Sequence, residues 1–216
     1  MKIEIQVPTS LNEITLGQYQ KFIKIAESNP SGHFLDAKMI EIFCGISLKD
    51  SYKLKMSSVT AITDILNSLF EVTPNHVERF TMGGQEFGFI PDLDEMSLGE
   101  YIDLDNNISS WENMHKAMNV LYRPIKDSTK DRYNLTEYNT DRLEAMLNMP
   151  LAPVLGCLFF FYDLGSELSR DILLCSDKEE VEALQKRLNL DKSGDGINQF
   201  MHSLEEILGD LKISLN

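Results

Sequence analysis

The most chemically suggestive run in the chain is Asp191-Lys192-Ser193-Gly194-Asp195-Gly196. It matches the first half of an EF-hand loop, with oxygen ligands at alternate positions and then a glycine for the sharp turn. The second half departs from the pattern. The place of the closing bidentate glutamate is taken by His202, Asn198 stands where an apolar residue belongs, and Glu205 and Glu206 come too late. A polar turn between two helices explains the run better than a calcium site, which stays the alternative. The histidines, His33, His76, His115 and His202, form no HExxH and stand at no metal-ligand spacing to one another or to cysteine. His115 falls beside Met114 and Met118 on a helical pattern, and a half-buried structural role suits it better than ligation. Six carboxylates gather from Asp92 to Asp105: Asp92, Asp94, Glu95, Glu100, Asp103 and Asp105. An acid–base pair needs one carboxyl held in an apolar pocket. Acids at a helix start also complement the macrodipole, so a solvated face is the better reading.

The remaining candidates are weaker. Cys44, Cys157 and Cys175 are far apart and odd in number, which argues against a disulfide framework and a zinc site. Each has apolar neighbours, as buried free thiols in a reducing compartment would. Gly83-Gly84 suits a hairpin turn rather than a phosphate cradle, because no capped helix follows at once. No GxSxG, P-loop or GxGxxG occurs. The expectation is therefore a non-enzymatic chain with no catalytic, metal or cofactor-binding residue and no cofactor.

The elements that would position any site are mostly helical. Ile3, Ile5 and Val7 alternate with polar residues, which predicts a short strand ended by Pro8. Apolar spacing predicts helices over about 16–26, 35–43, 58–70, 98–104, 111–122, 141–147, 152–174, 178–188 and 197–211. Two short runs around Gly83-Gly84-Gln85 predict a β-hairpin near residues 77–90. Residues 123–139 are polar and read as irregular, with Pro124 at their start. The fold class is thus mainly α: a multi-helix globular α+β chain with a short N-terminal strand and one hairpin. It divides into a duplicated region over 1–125, a linker or loop over 126–140 and a helical region over 141–216. The run Leu158-Phe159-Phe160-Phe161-Tyr162 is apolar all round its helix, as the central helix of the C-terminal half would be, or a subunit contact.

The duplication lies in two helix starts, with copies near 3–46 and 86–125. Pro8-Thr-Ser-Leu-Asn-Glu-Ile-Thr-Leu-Gly-Gln-Tyr19 matches Pro91-Asp-Leu-Asp-Glu-Met-Ser-Leu-Gly-Glu-Tyr101 with one residue deleted. Thr15…Gln18 and Ser97…Glu100 both fit a capping box. Ile14 with Tyr19, and Met96 with Tyr101, fit the hydrophobic staple beside it. Each cap contributes about 1 kcal/mol. Gly17 and Gly99 lie in the first turns, where another backbone could approach closely. The repeated element looks like packing or assembly apparatus; chance reuse of a good helix start is the other reading.

Bulk properties narrow the partners. The chain has 216 residues, 43% of them apolar, enough for a core without staples. Its net charge is −14, and no basic cluster occurs. Nucleic acid and anionic membrane surfaces are therefore disfavoured, while a basic protein partner is allowed. Met1-Lys2-Ile3-Glu4 leads into alternation, so no signal peptide is expected, and the apolar stretch Leu151–Tyr162 is too short to span a bilayer.

Three stretches carry a family resemblance: Ile14–Phe22, Phe87–Asp105 and Met114–Ile125. Together they resemble small virion-morphogenesis proteins of tailed bacteriophages, over roughly residues 10–165. The resemblance implies a structural role in the connector, tail or baseplate, or alternatively a tail assembly chaperone or scaffolding factor absent from the mature particle. It implies other phage structural proteins as partners, a homo-oligomer as a possible state, and residence in the host cytoplasm and then the virion. It carries over no catalytic residue. A calcium-binding regulatory helical module, built on Asp191–Gly196, is the reading from outside that family.

Overall fold

The computed structural model describes residues 4–29, 31–129, 132–174, 202 and 205–209, with side chains of the last long helix described to residue 167. Helix α1, Leu16–Ser28, buries Leu16, Tyr19, Phe22, Ile23 and Ala26, a stripe at helical spacing. Helix α2, His33–Cys44, packs beside it and ends at Gly45, whose φ of 69° places it in the left-handed region that glycine tolerates. A short α3, Leu48–Ser51, leads to α4, Met56–Phe70, which turns Ile62, Leu66 and Phe70 inward. Tyr19 meets Trp111 edge to face with centroids 4.7 Å apart and Phe70 at a tilt, and Phe43 joins Phe22 to Phe70.

The hairpin forms where the glycines predicted it. Strands β1, Arg79–Met82, and β2, Gln85–Phe89, pair antiparallel through Gly83 and Gly84, whose φ values of 58° and 79° give the primed turn that matches strand twist. Helix α5, Leu98–Ile108, then a 3-10 turn at Trp111–Asn113 and α6, Met114–Leu121, follow.

Residues 123–139 are not the expected linker. Strand β3, Tyr122–Ser128, runs straight on from α6 and pairs with β2, and β4, Tyr133–Leu135, pairs with β3. The sheet is four-stranded and antiparallel, in the order β1-β2-β3-β4. Polarity hid these strands because Lys126, Asp127 and Ser128 face solvent, and the register slips between Ile125 and Asp127. Pro124 sits inside β3, opposite Phe87, with its carbonyl accepting from Thr136 N–H at 2.9 Å. Tyr133 closes the edge: its hydroxyl donates to the Phe89 carbonyl at 2.6 Å, and its ring lies against Gly88, leaving no room for a Cβ there.

A second correction concerns the N-terminus. Glu4–Val7 forms no strand, although Ile5 and Val7 are half-buried against the core and Glu4 and Gln6 are exposed. The alternation is real, but no strand among the described residues pairs with it. The 141–147 segment is a 3-10 turn over Glu144–Asn148. Helix α7, Leu151–Leu174, is the centre of the molecule: Leu151, Val154, Leu155, Cys157 and Leu158 are wholly buried. Gly156 lets the Asn75 backbone cross it, since a Cβ there would collide with the Asn75 carbonyl oxygen. One buried cluster spans Leu11 to Phe161 and includes Ile207. The expected helix 178–188, Cys175 and the Asp191–Gly196 loop lie outside the described residues; of the expected helix 197–211, His202 and Glu205–Gly209 are helical.

Candidate interaction surface

Both predicted capping boxes form. Thr15 Oγ1 accepts from Gln18 N–H at 3.2 Å, and Gln18 Oε1 accepts from Thr15 N–H at 2.9 Å. Ser97 Oγ accepts from Glu100 N–H at 3.3 Å, and Glu100 Oε2 accepts from Ser97 N–H at 2.7 Å. The cap residues have the same extended backbone, φ −91° and ψ 153° at Thr15, φ −68° and ψ 157° at Ser97. Among the described residues only the second copy follows a strand, so the repeat described covers cap and helix and not the strand before them.

The two helix starts face opposite ways. In the first, Ile14, Leu16 and Tyr19 are fully buried. In the second, the equivalent Leu98 is 75% exposed and Tyr101 58%, and the adjoining Ile102 is 46% exposed. What α5 turns inward is a stripe at helical spacing made of Glu100, Asp103, Leu104, Asn107 and Ile108. Glu100 is held there by Arg123 Nη1 at 2.9 Å, and Asp103 accepts from the Tyr138 hydroxyl at 2.7 Å. Burial pushes the Glu100 carboxyl up, but hydrogen bonds from Ser97 and the Arg123 charge outweigh it and hold the group below its ordinary value. An ion pair and a phenol thus anchor the inward face beside Leu104 and Ile108, and a second apolar group, Leu98, Tyr101 and Ile102, is left to solvent. A surface helix ordinarily turns its apolar residues to the core and its charged ones to water; the first turns of α5 do the opposite, with Glu100 buried and Leu98 and Tyr101 exposed. Asp92, Asp94, Glu95 and Asp105 stand exposed around it, and no Lys or Arg occurs from Gly83 to Met114.

The other sequence candidates do not come together. His33 and His202 are exposed and lie 3.5 Å from Asp36 and Glu206. His76 stacks on Phe160 and meets Phe89 edge on, and burial lowers its pKa. Cys157 is buried and Cys44 half-buried; both are free, and burial pushes the Cys44 thiol up to about 11, far from a reactive thiolate. The expected carboxylate face is real for Asp92, Asp94, Glu95 and Asp105, whereas Glu100 and Asp103 are structural. Among the described residues no three His, Cys, Asp or Glu side chains are grouped to hold a metal, and no helix is long and apolar enough to cross a membrane.

A cleft of about 790 Å³ lies beside α1, lined by Lys24, Trp111, Glu112, His115, Lys116 and Ile207. Its polar groups serve structure. Lys24 pairs with Glu112 at 3.0 Å, the Gln20 amide donates to the Trp111 carbonyl and lies 3.2 Å from His115 Nδ1, and the indole N–H donates to the Ile207 carbonyl at 3.1 Å. Burial first, then Lys116, lowers the His115 pKa. The lining presents no nucleophile paired with a base.

Sequence reasoning found the second cap and missed its exposure. No signal within the helix pointed to it, because which carboxylate Arg123 claims is settled only by the fold, where it pairs with Glu100. Compared with known protein families, curated proteins and solved structures, the chain matches none.

Proposed function

We propose that this chain is a non-enzymatic structural or assembly protein of a tailed bacteriophage, working in the connector, tail or baseplate by contact with other particle proteins. The observation that carries the reading is the exposed apolar face of α5. A stable chain with a sealed core gains nothing for folding from Leu98, Tyr101 and Ile102 in water, whereas a contact surface needs such residues. The resemblance of Ile14–Phe22, Phe87–Asp105 and Met114–Ile125 to virion-morphogenesis proteins supplies the setting. The acid residues around that face favour a second reading, an assembly chaperone that holds a basic client and leaves.

Quantitative mass spectrometry of purified mature particles and of assembly precursors tests this. The structural reading expects the chain in mature particles at a constant ratio to the other components. Presence in precursors alone selects the chaperone, and absence from both overturns the proposal.

A further inference from the structure

The sealed helix start shows what this motif accepts. Leu16 N–H donates to the Met149 carbonyl at 2.8 Å, and Leu151 N–H donates to the Ile14 carbonyl at 2.9 Å. These two bonds flank an antiparallel bridge between Thr15 and Pro150. Leu147 lies against Gly17, its carbonyl oxygen 3.0 Å from where a Cβ would stand. The covering segment, Met146-Leu-Asn-Met-Pro-Leu151, is apolar apart from one residue, and Met146, Met149 and Leu151 are fully buried.

The start of α5 offers the same fittings unused. Ser97 has the extended backbone of Thr15, so Leu98 N–H and the Met96 carbonyl are disposed as Leu16 N–H and the Ile14 carbonyl are. Neither makes a backbone hydrogen bond to the described residues, and the first amides of a helix have no internal acceptor. Gly99 has nothing within 4 Å of its Cβ direction. The side chains that would pack on an incoming segment, Leu98 and Tyr101, are exposed.

Charge decides the occupant. A second copy of this chain in a two-fold contact would bring Asp92, Asp94, Glu95 and Asp105 against their own kind, any other contact would join two chains of net charge −14, and the Met149–Leu151 segment is already used in its own core. We infer that the start of α5 docks an extended apolar segment of a different protein, flanked by lysine or arginine, through two backbone hydrogen bonds and the Leu98–Tyr101 face. This is strand addition on a helix cap rather than on a sheet edge. It deepens the assembly reading by naming the partner's chemistry, and rests on that reading only for the partner being a particle protein.

The probe is a fluorescent synthetic peptide with the sequence of Met146–Leu151 and two lysines at each end, titrated with the full chain and read by anisotropy. Saturable binding below about 1 mM is expected, weakening as salt is raised. Leu98→Asp and, independently, Tyr101→Ser should each weaken it at least about tenfold with melting unchanged, because both side chains are exposed. A peptide ended by glutamates should bind at least about tenfold more weakly. Absence of saturation below about 1 mM, or equal affinity in both variants, overturns the inference. So does a concentration-dependent dimer in sedimentation that Leu98→Asp abolishes, since a second copy would then be the occupant. Absence of the chain from particles with peptide binding intact removes the particle reading and leaves the docking site standing.

Discussion

His76 is the residue whose surroundings and chemistry conflict most. It lies between Phe160, stacked at 4.7 Å, and Phe89, edge on at 4.6 Å, and its Nδ1 has no hydrogen-bond partner among the described residues. An imidazolium there would lose water without gaining a partner, so its pKa is lowered by burial, with Glu78 only partly offsetting this. The sign of the linkage follows. The unfolded chain binds the proton first as pH falls below about 6.5, so stability drops from neutral pH downward until the folded state protonates too. His115 contributes in the same direction. His76→Phe keeps the ring packing and removes one titration. Urea melts of that variant at pH 7 and pH 5 should differ less than those of the wild type; an unchanged difference would assign the acid sensitivity elsewhere. Glu100 acts lower on the scale. Its carboxyl is held below the ordinary value, so its stabilisation is present above about 4.3 and is lost as pH falls through the folded value.

At the scale of elements, one helix start is used in two ways. Leu16 and Leu98 share a cap, a helix position and a neighbouring glycine, yet one is sealed and the other bare. Leu16→Ala should cost roughly 2–5 kcal/mol in denaturant melts, as a buried cavity does. Leu98→Ala should stay within about 0.5 kcal/mol. Equal losses would mean that the two starts are equally buried. Both caps were legible beforehand, because the hydroxyl and the amide or carboxyl three residues on are a local signal. The helices and the Gly83-Gly84 hairpin were legible from periodicity for the same reason. Strands β3 and β4 were not, since Lys126–Ser128 carry the polarity of a loop and β3 finds its partner far back in the chain, with Phe89 opposite Tyr122 and Phe87 opposite Pro124. Glu4–Val7 failed the opposite way: it has a strand's pattern without a strand's neighbour. The orientation of α5 depends on Arg123, and no pattern within the helix states which face a distant arginine will claim.

For the whole molecule, the division of labour is spatial. The helix start near the N-terminus, the Met146–Leu151 segment and α7 close one buried cluster, and Trp111 ties Ile207 to it. The sheet packs on α7 through Phe89, Phe160 and Phe161. On α5, outside that closure, the repeated cap projects an apolar face into an acidic surround. Such a layout suits a part that folds alone and then meets a partner, with the charge guiding approach and the apolar side chains holding the contact. Hydroxyl-radical footprinting of the free chain and of the same chain in assembly precursors or particles tests this most directly. Tyr101 and Leu98 should be oxidised readily in the free chain and protected on assembly, with Tyr19 protected in both. Equal oxidation of Tyr101 and Leu98 in the free and assembled states would contradict the account.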